Sequence, residues 1–403
     1  MGKFLFIVPP LTGHINPTLS VGAELLEKGH SVGWISLDGN LKSQLPDGGE
    51  LLLITYDQSN EEKQNSEKYL DIITKKIVYG IESIKFLYEE VLIPLNRYMF
   101  DGIMQWLDVF QPDVVINDHQ LFAGSAAATL KGIPYATSVT APAAIKMMED
   151  LPKIHAWEVN QIVALQKELG VPGDDSIASS ELLTLVFTSR VFFGNMELPE
   201  AYHFPGPVIT HRKQQIDFNW EKFNSSKTPR LLISIGTTFD HQYKKDFFAK
   251  VIEAFREEKI TVVVVSDRSL FDEWPENFIV QNRVPQLDLL PQLNGVICHA
   301  GHNTVSEALY HGLPLVVIPI AYDQSHVAGR VVESGSGVRL NYRRFRARHL
   351  LEAAHQILFD VSFRHSAEKI QASFKDAGGT AKAASLLAAL VDQSKEVFAE
   401  RDS

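Results

Sequence analysis

The sequence predicts an α/β protein with two Rossmann-like domains, each built on a parallel sheet flanked by helices. Short apolar runs alternate with helical patterns in the first half of the chain, and the same alternation restarts after residue 229. Strands that alternate with helices favour parallel sheets. At 403 residues the chain is also too long for one ordinary hydrophobic core, so two domains are expected.

The first predicted domain opens with a buried strand and a helix. Residues 4–8 (FLFIV) are continuously apolar, as expected for a parallel strand buried on both faces. Asn16-Pro17 predicts the start of a helix that stops at Gly29, because proline suits a first helical turn and glycine a helix end. Further strands are predicted at 31–37, 51–55, 113–117 and 133–139.

Residues 61–110 predict long helices that carry many aromatic side chains. Two interpretations of these rings stay open, namely core packing against the sheet and the lining of an apolar ligand pocket. The rings are Tyr69, Tyr79, Phe86, Tyr88, Tyr98, Phe100 and Trp106.

A polar segment without periodicity, residues 208–229, predicts the linker between the two domains. The N-terminal domain is therefore expected to span residues 1–207, and the C-terminal domain residues 230–403, ending in helices. Strands of the second domain are predicted at 230–236, 260–266, 278–280, 295–299, 314–320 and 337–340.

Composition narrows the classes of function and the compartment. Lys plus Arg number 38 and Asp plus Glu 49, and the resulting formal charge of −11 disfavours nonspecific nucleic-acid binding. The single cysteine, Cys298, excludes an internal disulfide and a thiolate zinc cluster, which indicates a reducing compartment. No apolar run approaches the roughly 18 residues of a membrane-spanning helix. We therefore expect a cytoplasmic protein without a transmembrane segment.

A dense polar segment, HAGHNTVSE at residues 299–307, follows a predicted strand. A helix that starts near Asn303 directs its free N–H groups and the positive end of its dipole beyond the strand, which favours an anion. Gly301 permits close approach of the backbone, and His299 and Thr304 add hydrogen-bond donors.

Glu307 lies one turn inside this predicted helix, where a carboxylate accepts hydrogen bonds from hydroxyls. Hydrogen-bond donors at the start of the helix, followed by a carboxylate acceptor one turn later, fit a diphosphate that carries a ribose. An ordinary helix cap, with Glu307 in a capping box, is the alternative that needs no ligand. A zinc site at His299 and His302 lacks a third ligand at usable spacing. A dinucleotide motif is equally weak, because GSG at 335–337 lacks the third glycine.

Polar loops follow three other predicted strands at the same edge of the sheet, where ligands of parallel sheets bind. Thr237, in IGTT at 235–238, offers a hydroxyl to a phosphate. Asp323 and Gln324 together can hold a ring that bears vicinal hydroxyls. In RVPQ (283–286), the backbone of Val284 can read a base and Gln286 a ribose. The sequence thus predicts a sugar-nucleotide site.

The segments RVPQ and HAGHNTVSEALYHGLPLVVIPIAYDQ (299–324) resemble the donor-binding signature of the GT-B glycosyltransferases, nucleotide-sugar-dependent enzymes with two Rossmann-like domains. PPLTGHINPTLSVGAELLEKGHSV (9–32) is similar to the opening of the same family. This family includes UDP-glucuronosyltransferases and macrolide glycosyltransferases, and the chain is most similar to its bacterial macrolide- and carotenoid-type members. The resemblance covers nearly the whole chain, weakly over 56–110 and 141–225, and implies two sheets facing each other across a cleft.

By motif position, the resemblance implies a role for each residue of the donor site. The implied ligands are His299, Gly301, Asn303 and Thr304 for the diphosphate, Gln286 and Glu307 for the ribose, the Val284 backbone for the base, and Asp323 and Gln324 for the sugar. Arg283 stands where many members have a tryptophan that stacks on the base, so the choice between UDP and dTDP stays open.

His14, in TGHINP after the first strand, is the predicted general base, because an imidazole suits proton removal from a hydroxyl near neutral pH. Asp118, at the end of a strand of the same sheet, is expected to orient the ring and stabilise the imidazolium. The family pattern places its catalytic histidine and aspartate at these two positions. A loop histidine and a helix cap are the structural alternatives. His119 is expected to point elsewhere.

The predicted function is the inverting transfer of a hexose, by family default glucose from UDP-glucose, onto a hydroxyl of a bulky apolar acceptor. A polyketide, flavonoid or carotenoid would fit, bound by segments within 56–110 and 141–185. No cofactor or metal is expected, because a helix end can stabilise the departing diphosphate. The alternatives are a sugar-nucleotide epimerase on a similar scaffold and a non-catalytic sugar-nucleotide-binding subunit.

Overall fold

A computed structural model of the chain describes residues 1–55, 81–209, 216–236, 241–320 and 323–401. Its first half contains a parallel sheet whose strands are β1 (Lys3–Ile7), β2 (Ser31–Ser36), β3 (Glu50–Leu53), β4 (Val114–Asp118), β5 (Tyr135–Val139), β6 (Thr184–Val186) and β7 (Tyr202–His203). Their order across the sheet is β3-β2-β1-β4-β5-β6-β7. The short strands β6 and β7 were not predicted, because they offer too few residues for a period to emerge.

The helices of this half are α1 (Thr12–Glu27), α2 (Ile81–Phe86), α3 (Ile93–Phe110), α4 (Phe122–Lys131), α5 (Ala143–Asp150), α6 (Pro152–Glu168) and α7 (Arg190–Phe193). A π-helical turn, Leu87–Leu92, joins α2 to α3. A short 3-10 helix spans Gly39–Ser43. The predicted helical region is therefore confirmed over residues 81–110, whereas residues 61–80, with Tyr69 and Tyr79, lie outside the described part of the chain.

The second half forms another parallel sheet, with strands β8 (Arg230–Ser234), β9 (Thr261–Val265), β10 (Phe278–Gln281), β11 (Gly295–Cys298), β12 (Leu315–Val317) and β13 (Gly337–Arg339). Their order is β10-β9-β8-β11-β12-β13. Its helices are α8 (Trp220–Ser225), α9 (His241–Phe255), α10 (Gln286–Leu289), α11 (His302–Tyr310), α12 (Gln324–Glu333), α13 (Ala347–Phe359), α14 (Val361–Asp376) and α15 (Gly379–Arg401). Short 3-10 helices span Arg268–Leu270 and Leu290–Gln292. Two α/β units with parallel sheets confirm the predicted fold class.

The first helix begins earlier than the sequence predicts. Helix α1 starts at Thr12, so the predicted start at Asn16-Pro17 is wrong and Pro17 lies inside the helix. Proline has no N–H, which leaves the carbonyl of Gly13 without its usual donor one turn later. The side-chain amide of Asn303, from α11 of the other half, donates to that carbonyl at 3.1 Å. A contact between the two halves therefore satisfies the acceptor that the proline leaves open.

The last helix returns to the first half of the molecule. Ala383, Ala384 and Leu387 of α15 are fully buried in the core formed by β1, β2, β4 and α1. The predicted linker contains helix α8, whose Phe223 is fully buried in the core of the second sheet. The last helix thus packs in the first half although it follows the second half in sequence. The predicted domain bounds stay a prediction.

Two further properties concern the described part of the chain. None of the helices placed there has the length and apolar character that crossing a bilayer requires. Cys298 is a free thiol in the buried strand β11, and burial raises its pKa to about 12. A thiol with so high a pKa is a poor nucleophile at neutral pH.

Gly124 leaves room for the side chain of Asn117, which precedes Asp118 at the end of β4. Asn117 donates its amide to the carbonyl of Leu121 at 2.6 Å and to Ser125 Oγ at 3.0 Å, and a Cβ on Gly124 would overlap Asn117 Oδ1. We expect Gly124→Ala to lower the free energy of unfolding by about 1–3 kcal/mol, the usual cost of overpacking a core, measured by urea unfolding. Gly329→Ala is the control, because nothing lies within 4 Å of a Cβ there. Equal stability of the two variants would contradict this packing.

Candidate active site

A cavity of about 940 Å³ lies between the two halves of the molecule. Its wall from the first half includes Gly13, His14, His119 and Thr140, and its wall from the second half includes Gly236, His299, Gly301, His302, Asn303, Thr304 and Asp323. Both walls consist of residues that follow the carboxyl ends of strands, the edge at which open parallel sheets bind ligands. The two sheets therefore contribute to one site.

His14 and Asp118 meet at this cavity, although they are far apart in sequence. His14 lies in the first turn of α1 and Asp118 at the end of β4, and β1 and β4 are neighbours in the sheet. Nδ1 of His14 is 2.9 Å from Oδ2 of Asp118, and the Thr140 hydroxyl is 2.9 Å from the same nitrogen. Because Nδ1 is held on this side, Nε2 is the nitrogen that can accept a proton. The side chain of His14 is 14% exposed and that of Asp118 fully buried.

The pair is polarised by its surroundings. Burial alone would lower the pKa of His14, but the charge of Asp118 and the hydrogen bond to it, with the charge of Asp323, raise this pKa above its ordinary value. Burial would raise the pKa of Asp118, but His14 and His119 hold it well below the usual range. Asp118 is therefore ionised at neutral pH, and His14 is a stronger base than a free imidazole.

His119 lies beside this pair, contrary to the expectation that it points elsewhere. Its ring stacks on that of His14, with centroids 5.4 Å apart and planes 8° apart, and it lines the cavity. Its Nδ1 is 3.4 Å from Oδ1 of Asp118. The alternation of side chains along a strand suggested the opposite side, but β4 ends at Asp118, so that alternation does not extend to residue 119.

His14, Asp118 and His119 also place three possible metal-ligand atoms within 4.8 Å of one another. The sequence drew attention instead to His299 and His302 as a weak zinc candidate. The expectation that no metal is required stays a prediction.

The opposite wall is the N-terminus of α11. Gly301 is the N-cap residue, in an extended conformation, and has no side chain to cap the helix, so the alternative of an ordinary capping box is not what the structure contains. The first helical residues, His302 to Thr304, line the cavity. Uncapped N–H groups and the positive end of the helix dipole favour a phosphate group at this position.

His299 is enclosed by two glycines. A Cβ on Gly301 would lie 2.7 Å from Nε2 of His299, and one on Gly236 3.0 Å from its Cε1. Burial lowers the pKa of His299 to about 4, and burial likewise lowers the pKa of His302 to about 4. Both rings are therefore neutral near pH 7, so His299 can offer a diphosphate a hydrogen bond but no positive charge.

Comparison with known proteins agrees with this arrangement. The family described as erythromycin biosynthesis protein CIII-like, C-terminal domain, matches residues 249–388. The chain is 29% identical to an uncharacterized UDP-glucosyltransferase, YojK, of Bacillus subtilis (strain 168), over 98% of this chain and 99% of that protein. It is 28% identical to the NDP-glycosyltransferase YjiC of the same organism, over 96% of each chain.

A solved structure extends the likeness to the whole fold. The glycotransferase of kitacinnamycin superposes with a TM-score of 0.73 at 22% identity, over 96% of this chain and 99% of that one. The chain is a GT-B glycosyltransferase of the macrolide and natural-product type. A nucleotide sugar is therefore its donor substrate, and the cavity between the halves lies where two such domains face each other.

The structure of this glycosyltransferase brings only some of the predicted donor residues to the cavity. Gln286 donates its amide to Glu307 at 2.5 Å, and Gln324 accepts a hydrogen bond from the N–H of Ile320 at 2.8 Å. These three side chains and Val284 do not line the cavity, whereas His299, Gly301, Asn303, Thr304 and Asp323 do. Thr237 lies outside the described residues. Ribose contacts by Gln286 and Glu307 and a sugar contact by Gln324 stay predictions.

Gly301→Ala tests the diphosphate position. The backbone of Gly301 suits alanine, but the added Cβ would displace the His299 ring. We expect the Kd for UDP to rise about tenfold, the value of one hydrogen bond to a charged group, measured by isothermal titration calorimetry. Gly39→Ala is the control, since its Cβ would meet only ordinary contact, with Leu53 at 3.7 Å. An unchanged Kd in Gly301→Ala would place the diphosphate elsewhere.

Proposed function

We propose that this glycosyltransferase transfers a hexose, with glucose from UDP-glucose as the first donor to test, onto a hydroxyl of a bulky apolar natural product. The observation that carries the proposal is the His14–Asp118 pair, 2.9 Å apart at one wall of a cavity whose opposite wall is an uncapped helix N-terminus. A base and an anion-stabilising helix end on facing walls are what a single displacement requires.

In the proposed reaction, the acceptor hydroxyl gives its proton to Nε2 of His14. Its oxygen attacks the anomeric carbon of the sugar while the bond from that carbon to the diphosphate oxygen breaks. The electron pair stays on the diphosphate, where the N–H groups of α11 and the neutral ring of His299 stabilise it. Attack from the side opposite the leaving group inverts the anomeric configuration. Asp118 holds the imidazole and stabilises its protonated form.

The donor proposal is supported by the similarity to the two Bacillus subtilis relatives, a UDP-glucosyltransferase and an NDP-glycosyltransferase. The acceptor proposal is supported by the apolar part of the cavity, where Ile84, Leu87, Leu92, Met147 and Leu151 line the wall. Apolar walls with few polar groups suit a hydrophobic ligand. The name of the kitacinnamycin enzyme agrees with a natural-product acceptor.

The test is product mass. The protein is incubated with UDP- or dTDP-sugars and a panel of polyketides, flavonoids and carotenoids that bear hydroxyls, with and without a metal chelator. A product heavier than the acceptor by one hexose is expected with UDP-glucose, in the same yield when the chelator is present. Nucleotide release from the donor without a heavier product, across the whole panel, would instead support the epimerase alternative.

A further inference from the structure

One part of the cavity wall combines apolar side chains with a buried carboxylate. It is formed by the π-helical turn Leu87–Leu92 and by helix α6. Tyr88 and Glu158 are the polar residues that these two segments contribute to the cavity. Glu158 is 3% exposed. A carboxylate at such a depth is rare unless it has a partner.

The carboxylate of Glu158 is only partly satisfied by the protein. The hydroxyl of Tyr88 forms a hydrogen bond with it, but Oε1 is buried without a hydrogen-bond partner among the described residues. His155 Nδ1 lies 3.8 Å from Oε2, too far for a hydrogen bond, and burial lowers the pKa of His155, so that ring is neutral near pH 7. A buried acceptor atom left open in this way destabilises the protein unless a ligand satisfies it.

The backbone and neighbouring rings hold Tyr88 at this position. The N–H of Ile93 donates to the carbonyl of Tyr88, five residues earlier, which is the bond pattern of a π-helical turn. Such turns are frequent at functional sites. The ring of Tyr88 stacks on Phe122 with centroids 6.1 Å apart and meets the edge of Trp157 at 5.7 Å. A ring held by two others keeps its hydroxyl directed at Glu158.

We propose that Glu158 and Tyr88 form a recognition site for a second hydroxyl of the acceptor, separate from the hydroxyl that receives the sugar. The inference rests on the proposed function, since it concerns the same acceptor in the same cavity. The acceptor hydroxyl donates to Oε1 of Glu158, while the Tyr88 hydroxyl occupies the other carboxylate oxygen. Binding of one hydroxyl here orients the molecule and determines which other hydroxyl reaches His14.

A hydroxyl fits this site better than an ammonium group. Burial raises the pKa of Glu158 to about 7, against a smaller lowering by Tyr88, so the group carries only part of a negative charge near neutrality. A neutral donor is satisfied by that acceptor, whereas a buried cation requires a fully charged partner. The expected substrates are therefore apolar molecules with at least two hydroxyl groups.

The experiment compares a flavonoid with two phenolic hydroxyls against its two mono-O-methyl ethers, each with UDP-glucose. For the native protein we expect kcat/KM to be about tenfold higher for the diol than for the ether that keeps only the reacting hydroxyl, mainly through KM. In Glu158→Leu combined with Tyr88→Phe we expect a ratio near one, with transfer to that ether retained. Replacing both partners by apolar groups leaves no unpaired polar atom, so the variant is expected to fold.

Glu158→Gln keeps the shape of the side chain and is expected to give an intermediate ratio. Glu168→Gln, on the same helix but exposed and paired with Arg97, is the control and keeps the native ratio. A native enzyme that treats diol and ethers alike would overturn the inference, as would variants in which both rates fall together with the ratio unchanged. Absence of product with every acceptor would instead contradict the proposed function itself.

Discussion

Replacement of His14 by alanine is expected to lower kcat about 10²- to 10⁴-fold, the usual contribution of a general base. The imidazole is the group that Asp118 polarises at the cavity wall, with Nδ1 bound at 2.9 Å and Nε2 left for the acceptor proton. No other basic ring is held in this way by Asp118, among the residues that the structure describes, since His119 approaches only to 3.4 Å. The rate is measured as product formed per unit time at saturating donor and acceptor.

Two measurements separate this loss from a loss of structure. The proposed diphosphate site lies on the opposite wall of the cavity, so the Kd for UDP in His14→Ala is expected to stay within about twofold of the native value, as for two sites without shared contacts. His119→Ala is the matched control, because it removes the neighbouring ring but leaves the base, and we expect less than about a tenfold loss of kcat. Full activity in His14→Ala, or an equal loss in His119→Ala, would overturn the assignment of the base.

Much of the fold was predictable because buried parallel strands have a strong local pattern. All eleven predicted strands correspond to strands of the two sheets, from Lys3–Ile7 to Gly337–Arg339. The start of α1 was not predictable from local rules, because the carbonyl that its internal proline leaves without a donor is satisfied by a side chain from the other half of the molecule. Helix α15 shows the same limit, since its burial against α1 depends on where the chain returns.

The candidate site was likewise predictable where its residues follow the ends of strands, and less so elsewhere. The sequence placed His14 and Asp118 at one sheet edge, and the helix N-terminus after Gly301 at another, because strand ends are readable from the pattern. It did not reveal that His119 turns toward His14, since a residue just beyond a strand end no longer follows the alternation. Nor did it single out Glu158, because an acidic residue on a helix has no local signal for burial. Among the aromatic rings, both interpretations hold, since Tyr88 lines the cavity whereas Trp106 packs in the core and donates to Leu53.

Asp118→Asn is expected to lower kcat by roughly 10²- to 10⁴-fold while changing the volume of the side chain little. An amide can direct its NH₂ group at Nδ1 of His14, which then becomes an acceptor and leaves the proton on Nε2, the nitrogen that must receive the acceptor proton. Thr140 remains 2.9 Å from Nδ1, so the ring is not released altogether. Asp113→Asn, at the other end of the same strand region, is the control, because its carboxylate accepts from the backbone N–H of Lys3 and from no other residue that the structure describes.

The pH profile of the residual activity distinguishes an electrostatic role of Asp118 from a purely steric one. His14 acts as a base only when neutral, so kcat/KM falls as the pH drops below its pKa in the free enzyme, which the Asp118 charge raises above 6.5. Without that charge, burial is the main influence left and lowers the pKa of His14. The acid limb of the profile is therefore expected to move to lower pH in Asp118→Asn and to stay in place in Asp113→Asn. An acid limb that stays in place in Asp118→Asn would contradict polarisation of His14 by the carboxylate and leave Asp118 a steric role only.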